Sequence, residues 1–352
     1  GGTGGHVIPG LTIAKALENA ECDITWIGTK GGIEEKLVPK ANIKIEYITV
    51  MGLRGKSLMN VLIAVKQLIQ SIFQSINLLM KYRPDVVIGM GGYVSGPGGI
   101  AAFLLRYPLV IHEQNSVPGT TNKFLARIAS SVLEAFPGSF RSKMNAKTIG
   151  NPIREEIALI EDPKKRLQDR KFPIRILVLG GSQGSLILNQ SVPRAIKEVA
   201  SSNKLEVFHQ AGEKTLSNAK KAYEDVPVGL YLVDYIDDIA EAYKWADLVI
   251  CRAGAMTVSE LLAVGLPVIF IPFSKATDDH QTENAKYMQE LGAAEIVSEN
   301  DISNDLLTIT LNDWVKDRSV LKRRACLARS KAKLNSTSDI VETCLNYVSH
   351  DE

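Results

Sequence analysis

The sequence predicts an α/β protein built from two doubly wound, parallel-sheet domains in series. Three observations predict it. Short apolar runs of strand character alternate with helical stretches along the whole chain. The alternation stops at Gly150-Asn-Pro-Ile-Arg154, where Asn-Pro ends any helix, and then restarts. Several apolar runs end in glycine clusters that open helices, the usual grammar of a doubly wound sheet. A length of 352 residues fits two domains, and 45% hydrophobic with 23% charged residues is an ordinary globular balance. Such a chain buries enough apolar surface to fold without a metal or disulfide staple.

In the first half, Ile24 to Ile27, Ile43 to Thr49, Asp85 to Gly89, Leu109 to His112 and Val132 to Ala135 read as strands. The first helix is expected from about Pro9 to Asn19, because proline suits a first turn where its missing N–H needs no partner. A strand should precede the opening glycine loop, so roughly ten residues are expected ahead of Gly1. In the second half, Arg175 to Leu179, Leu205 to Gln210, Val228 to Val233, Leu248 to Cys251, Val268 to Ile271 and Ala294 to Val297 read as strands. A helix follows the first of these and runs to about Ala200. After Asp313 the chain reads as helical to its end. The expected division is an N-terminal domain over 1–151 and a C-terminal domain over 152–334, with the last helix, 335–352, packing back on the first. The charged run Glu161 to Lys171 and the basic run Lys316 to Lys333 both read as solvated surface.

Lys and Arg number 41 against 39 Asp and Glu, so a net charge of +2 gives no case for a nucleic-acid partner. Cys22, Cys251, Cys326 and Cys344 form no CxxC pair, as expected of a reduced, cytoplasmic protein. The five histidines lack metal-ligand spacing, so a histidine-built metal site is not expected; no cofactor is expected either. The longest uncharged apolar-rich stretch, Gln67 to Met80, is too short and too polar to span a bilayer.

Three loops repeat one device: Gly1-Gly-Thr-Gly-Gly-His6, Gly89 to Gly99, and Gly180-Gly-Ser-Gln-Gly-Ser185. Glycine lets the backbone turn tightly with its N–H groups exposed, and a helix starting there favours an anion. A bare packing turn is the plain alternative for any one of them. None is a P-loop, and none is a dinucleotide fingerprint at a first strand. Gly180-Gly-Ser-Gln-Gly184 also fits a hydrolase nucleophile elbow at Ser182, which would need a downstream acid and histidine; Asp278 or Asp279 with His280 is the nearby offering, and adjacent residues rarely converge with the right geometry. Arg252 to Glu260 opens a helix after a strand, so its N–H groups suit a phosphate. Glu260, one turn in, can accept two hydroxyl bonds from a ribose or sugar ring, or serve the helix dipole.

With these segments in view, the chain resembles the MurG family, the bacterial N-acetylglucosaminyltransferases of peptidoglycan synthesis. The resemblance rests on GGTGGHVIPG at the start, GMGGYVSGPGG at 89–99, HEQNSVPGTTNK at 112–123, GNPIR at 150–154, GGSQGS at 180–185, YIDDIAEAY at 235–243 and CRAGAMTVSE at 251–260, in that order. It implies the GT-B fold, two Rossmann-like domains facing a cleft. It also implies transfer of GlcNAc from UDP-GlcNAc to the MurNAc hydroxyl of lipid I, giving lipid II. By the resemblance, Thr3, Gly4, Gly5, Asn115 and Arg154 would touch the donor, and Ser182 its diphosphate region. Ile236 would read uracil through its backbone. Ala255, Met256, Thr257, Val258, Ser259 and Glu260 would hold diphosphate and ribose, and Gln281 the GlcNAc ring.

The reaction needs a base, an electrophilic anomeric carbon and a stabilised leaving group. His6 is the expected base, since a helix N-terminus disfavours imidazolium; a structural hydrogen bond is the alternative role, and Glu113 the alternative base. A single displacement inverts the anomeric centre. The doublets Asp237-Asp238 and Asp278-Asp279 read as helix caps rather than metal ligands. Residues 53 to 106 carry six basic side chains and one acid around a broad apolar stripe that includes Val61, Leu62, Ile69 and Phe73. That combination suits peripheral binding to the cytoplasmic membrane leaflet, with an ordinary buried helix as the alternative. A UDP-GlcNAc 2-epimerase-like enzyme and a non-catalytic sugar-nucleotide-binding protein are the competing readings.

Overall fold

A computed structural model describes residues 4–50, 58–181, 183–274 and 279–348, with the side chains of 58–64, 303 and 304 outside the description. The chain divides into two compact units, Gly1–Ile153 with Lys333–Glu352, and Arg154–Ala332. The strand expected ahead of Gly1 lies outside the described residues, as do Thr3 and Ser182.

The first unit runs α1 (Gly4–Glu18), β1 (Thr25–Gly28), α2 (Glu34–Lys40), β2 (Lys44–Tyr47), α3 (Leu58–Tyr82), β3 (Val87–Gly89), α4 (Gly92–Leu104), β4 (Leu109–Glu113), α5 (Thr120–Leu125), β5 (Ser131–Glu134) and β6 (Lys147–Thr148). The second runs α6 (Glu155–Ala158), α7 (Pro163–Arg166), β7 (Ile174–Leu179), α8 (Leu186–Ala200), β8 (Leu205–Gln210), α9 (Leu216–Ala222), β9 (Gly229–Val233), α10 (Ile239–Trp245), β10 (Leu248–Cys251), α11 (Ala255–Val264), β11 (Val268–Phe270), α12 (His280–Glu290), β12 (Ala294–Ile296), α13 (Leu306–Val315) and α14 (Arg318–Ser330). The last helix, α15 (Ser336–Leu345), packs on α1 in the first unit.

Among the described residues every strand pair is parallel. In the second unit the order β12-β11-β10-β7-β8-β9 places the reversal between β7 and β10, where ligands of doubly wound sheets bind at the strands' carboxyl ends. Ile174, Ile176, Val178, Leu248 and Ile250 fill the core beneath them, as expected of strands covered on both faces. The first unit has two sheets, β1-β2 and β3-β4-β5-β6. A cavity of about 640 Å³ lies between Ile24–Ile27 and Val86–Met90, floored by Ile13 and Leu17 of α1 and by Cys344.

Four expectations are corrected by the packing. Pro9 lies inside α1, not in its first turn, because the helix is already formed at Gly4; proline then offers no N–H to the carbonyl of Gly5. The run Glu161 to Lys171 is not simply solvated. Arg166 donates to the carbonyls of Ala246, Val264 and Gly265, and Arg170 to those of Trp245 and Ala246. The basic run at 316–333 also reaches inward. Arg318 and Arg170 pair with Asp247, whose side chain is 1% exposed, at 2.7 and 3.2 Å, and Arg324 stacks on Trp314. A buried carboxylate persists only when so paired. Finally, Asp238 caps α10 through the Glu241 N–H, but Asp279 has φ +52° and accepts from the Thr282 hydroxyl instead of capping α12.

Two buried histidines make stability depend on pH. Burial pushes His112 down to about 4 and His209 down to about 3. Both regain a value near ~6.5 when unfolded, so the unfolded chain binds more protons below that pH. Their contribution is complete above about pH 6.5 and is lost as pH falls toward 4. Calorimetric melting points should therefore fall steadily from pH 7 to pH 4.5; a flat profile would contradict this.

Candidate active site

In the first unit, three segments far apart in sequence meet at Gly91. Its φ of +87° is open to glycine, and a Cβ there would lie 2.9 Å from His6 Cδ2, 3.2 Å from His6 Nε2 and 3.3 Å from Asn122 Nδ2. The His6 ring of α1 thus rests on the loop that joins β3 to α4. Gly4 and Gly5 form the first turn of α1 below it. Asn122 carries the contact onward, donating to Glu113 Oε2 at 2.9 Å and to the His112 carbonyl at 3.1 Å.

Glu113, at the end of β4, is 2% exposed and saturated by its own loop. Oε1 accepts from Asn115 N (3.0 Å) and Nδ2 (3.2 Å), and Oε2 accepts from Gly119 N (3.1 Å) as well as Asn122. Its neighbour His112 is buried and neutral. Nε2 donates to the Gly150 carbonyl at 2.9 Å, so Nδ1 accepts from Gln114 Nε2 at 3.0 Å. The segment 112–122 is therefore a self-braced loop beside the His6 ring.

In the second unit, β7 and β10 are neighbours, and each ends in a loop that opens a helix. Ser185 stands at the N-cap of α8 and Gly254 at that of α11, and no side chain caps either helix. Side-chain caps are present at α7, α10 and α14, from Asp162, Asp238 and Asp317, and absent at several other helices, so what sets α8 and α11 apart is that they follow neighbouring strands. Two neighbouring helix N-termini without a side-chain cap form a setting for an anion of two linked phosphates. The glycine loop before α8 is locked by a second glycine. Gly184 (φ +76°) and Gly212 (φ +79°) touch backbone to backbone, and a Cβ on either would overlap the other's chain segment.

Glu260 sits on α11 with Oε1 accepting from Arg154 Nη2 and Oε2 from the Tyr243 hydroxyl, each at 3.0 Å. Burial pushes its carboxyl above the ordinary value, while Arg154 and the Tyr243 hydroxyl pull it back. A carboxylate has about four lone-pair sites, so two remain for hydroxyl donors. Ala255 and Val258 face the core, whereas Met256, Thr257 and Ser259 are half-buried. Ile236 is buried in the turn before α10. Gln281 Oε1 accepts from Phe273 N at 3.0 Å.

Sequence reasoning missed two members of this region. Tyr243 closes the segment YIDDIAEAY, where nothing in the sequence assigns it a role, yet its hydroxyl braces Glu260. Arg252 was read only as the start of a phosphate segment, yet it ties together the loops after β7, β11 and β12. Its guanidinium donates to the carbonyls of Ile271 (2.9 Å) and Pro272 (3.0 Å) and to Ser185 Oγ (3.0 Å), and pairs with Glu299 at 2.7 Å. An arginine directly after an apolar strand was the available signal. Among the described residues no group of three His, Cys, Asp or Glu side chains could hold a metal ion.

Comparison with known proteins bears on both units. Residues 1–134 match the glycosyltransferase family 28 N-terminal domain, and residues 175–343 the family 28 C-terminal domain. The chain is 46% identical over 345 residues to the UDP-N-acetylglucosamine–N-acetylmuramyl-(pentapeptide) pyrophosphoryl-undecaprenol N-acetylglucosamine transferase of Marinobacter nauticus, covering 98% of this chain and 95% of that one. It superposes on the crystal structure of Acinetobacter baumannii MurG with a TM-score of 0.89 at 36% identity, covering 98% and 97% of the two chains. A Neisseria meningitidis UDP-GlcNAc 2-epimerase bound to UDP-GlcNAc aligns with a TM-score of 0.67 at 13% identity, a likeness of fold alone.

Proposed function

The chain belongs to glycosyltransferase family 28, and we propose that it transfers GlcNAc from UDP-GlcNAc to the C4 hydroxyl of the lipid-linked MurNAc-pentapeptide, lipid I, in peptidoglycan synthesis. It is an N-acetylglucosaminyltransferase with the two-domain, parallel-sheet GT-B fold. The observation that carries the reading is the 46% identity to such a transferase across 98% of the chain. The likeness to the 2-epimerase, at 13% identity, does not compete with it. The direct test is transfer of radiolabelled GlcNAc to a lipid I analogue by the purified protein. A β-linked disaccharide product supports the proposal, and release of free sugar without transfer sinks it.

In this reading the second unit binds the donor. The diphosphate lies at the N-terminal ends of α8 and α11, the segment Ala255 to Glu260 holds phosphate and ribose, Ile236 meets uracil and Gln281 the sugar ring. Ser182 belongs to the same loop but lies outside the described residues. Helix dipoles and Arg154 stabilise the departing UDP, which is preorganised electrostatics rather than a step needing a side-chain acid. In the first unit His6 accepts the proton of the attacking hydroxyl as oxygen bonds to the anomeric carbon, and the bond to UDP breaks. The α-linked donor thus gives a β-linked product. Glu113 has already spent both oxygens on four donors, which favours His6 as the base.

Arg154→Ala leaves Glu260 braced by Tyr243 alone and removes the charge that opposes its raised pKa. The KM for UDP-GlcNAc should rise about 10-fold, the size of a lost charge-assisted contact. Unchanged donor kinetics would exclude Arg154 from the site.

The membrane side of the proposal rests on α3. Its inward face carries Ser71 and Ser75, while Phe73 is 62% and Ile69 52% exposed, with Val65 and Met80 also outward. Phe103 and Leu104 are exposed at the end of α4, which packs on α3. Lys66, Lys81, Arg83 and Arg106 are exposed in the same stretch. Arg54 and Lys56 lie outside the described residues, and the side chains of Val61 and Leu62 are not described. Among the described residues no helix is long and apolar enough to cross a membrane. A helix with apolar groups outward and cations at its rim suits peripheral attachment to an anionic leaflet, the cytoplasmic one in this reading. Ile69→Ser with Phe73→Ser should abolish flotation with anionic liposomes while turnover of a short-chain soluble acceptor persists. Undiminished flotation would assign the face another role.

A further inference from the structure

Serine at an N-cap ordinarily turns its hydroxyl onto the N–H groups of the first helical turn. Ser185 has the extended backbone of a cap residue, φ −138° and ψ 106°, and its carbonyl accepts the first helical bond from Asn189. Its hydroxyl nevertheless caps nothing in α8. Oγ instead accepts from Arg252 Nη2 at 3.0 Å, in a setting where Ser185 is only 7% exposed. Arg252 cannot follow the serine elsewhere. Two carbonyls and Glu299 hold Nη1, and its guanidinium lies 5.4 Å from the Phe273 ring centre. The planar fork is needed for this, since an ammonium could not reach four acceptors spread over three loops. The side chain best placed to close α8 is thus drawn away by an arginine from the adjacent strand.

We propose that Arg252 is a positioning residue that holds the Ser185 hydroxyl off the N-terminus of α8, keeping those N–H groups open for the donor diphosphate. The inference rests on the donor site assigned above, and it deepens that site by adding a group that touches no substrate. Without Arg252, the serine hydroxyl falls back on its own helix and competes with the phosphate oxygens for the same N–H groups.

The test is an epistasis measurement read by calorimetric titration with UDP. Arg252→Gln is combined with Glu299→Gln, so that neither charge is left buried alone. This double variant should bind UDP about 10-fold more weakly, the loss of roughly one hydrogen-bonding contact to the anion. Adding Ser185→Ala should restore most of that loss, because an alanine cannot close the helix end. A purely structural role for Arg252 gives no recovery, and a triple variant no tighter than the double overturns the proposal. Should the double variant not fold, Arg252→Lys takes its place, since an ammonium cannot hold Ile271, Pro272 and the Ser185 hydroxyl together. Its UDP binding should be weaker and should recover on adding Ser185→Ala, and no recovery overturns the proposal. If the parent chain binds no UDP, the functional reading fails and this inference falls with it; binding by the parent without recovery in the triple variant defeats this inference alone.

Discussion

His6→Ala should lower kcat for GlcNAc transfer by about 100- to 10,000-fold, the range of a lost general base, with the KM for UDP-GlcNAc within about threefold of the parent. The expectation follows from where the ring sits. It lies against Gly91, in the loop after β3, beside an asparagine that is itself tied to Glu113. That packing limits the ring's rotation without enclosing it, since His6 is only half-buried. Glu113 offers the contrast. It is sealed by four donors of its own loop, so Glu113→Gln should disturb the loop, raising KM and lowering the melting point together. Steady-state kinetics of both variants with a soluble acceptor separate the roles. If Glu113→Gln shows the isolated kcat loss and His6→Ala does not, the assignment is reversed.

The second large effect is expected at Gly184. Its φ of +76° already disfavours any other residue, at a cost of ~1–3 kcal/mol for alanine. A Cβ there would also overlap Thr215 Oγ1 and lie 2.5 Å from the carbonyl of Ala211. Neither backbone can retreat, because Gly212 is packed against the same loop. Gly184→Ala should therefore shift the whole turn before α8 and weaken UDP binding by about 100-fold, equivalent to about 2.7 kcal/mol. Gly181 provides the control, since it shares a positive φ (+79°) but faces open space, so Gly181→Ala pays only the backbone strain. Equal losses at the two positions would mean that close backbone approach at Gly184 plays no part.

The contrast between these glycines shows what could be read from the chain before its structure. Strand positions were legible because parallel strands covered on both faces are short continuous apolar runs. Leu205 to Gln210 and Leu248 to Cys251 were delimited to the residue. The two-residue β6 carries no such run and was not read. Helix limits were less legible, as Pro9 shows, because a proline inside a helix is tolerated only where local packing allows it. Glycine clusters flagged the loops, but clustering does not say which glycine is indispensable; that depends on a partner such as Gly212, 28 residues on. Charge runs were the poorest guide. Arg166, Arg170, Arg318 and Arg324 look solvated in sequence, and their partners at Ala246, Asp247, Gly265 and Glu295 are unrelated in spacing. The position of Arg252 directly after an apolar strand flags it, but its role does not show in the sequence, since it is defined by carbonyls, a hydroxyl and a carboxylate on three other loops.

The account depends on main-chain N–H groups at the ends of α8 and α11 gripping the donor through its diphosphate. Calorimetric titration of the purified protein with UDP and with uridine, both in excess EDTA, tests this most directly. The account expects UDP to bind without a divalent ion, and uridine, which lacks the phosphates, to bind at least about 100-fold more weakly. Equal affinities for the two, or UDP binding that vanishes in EDTA, would contradict it.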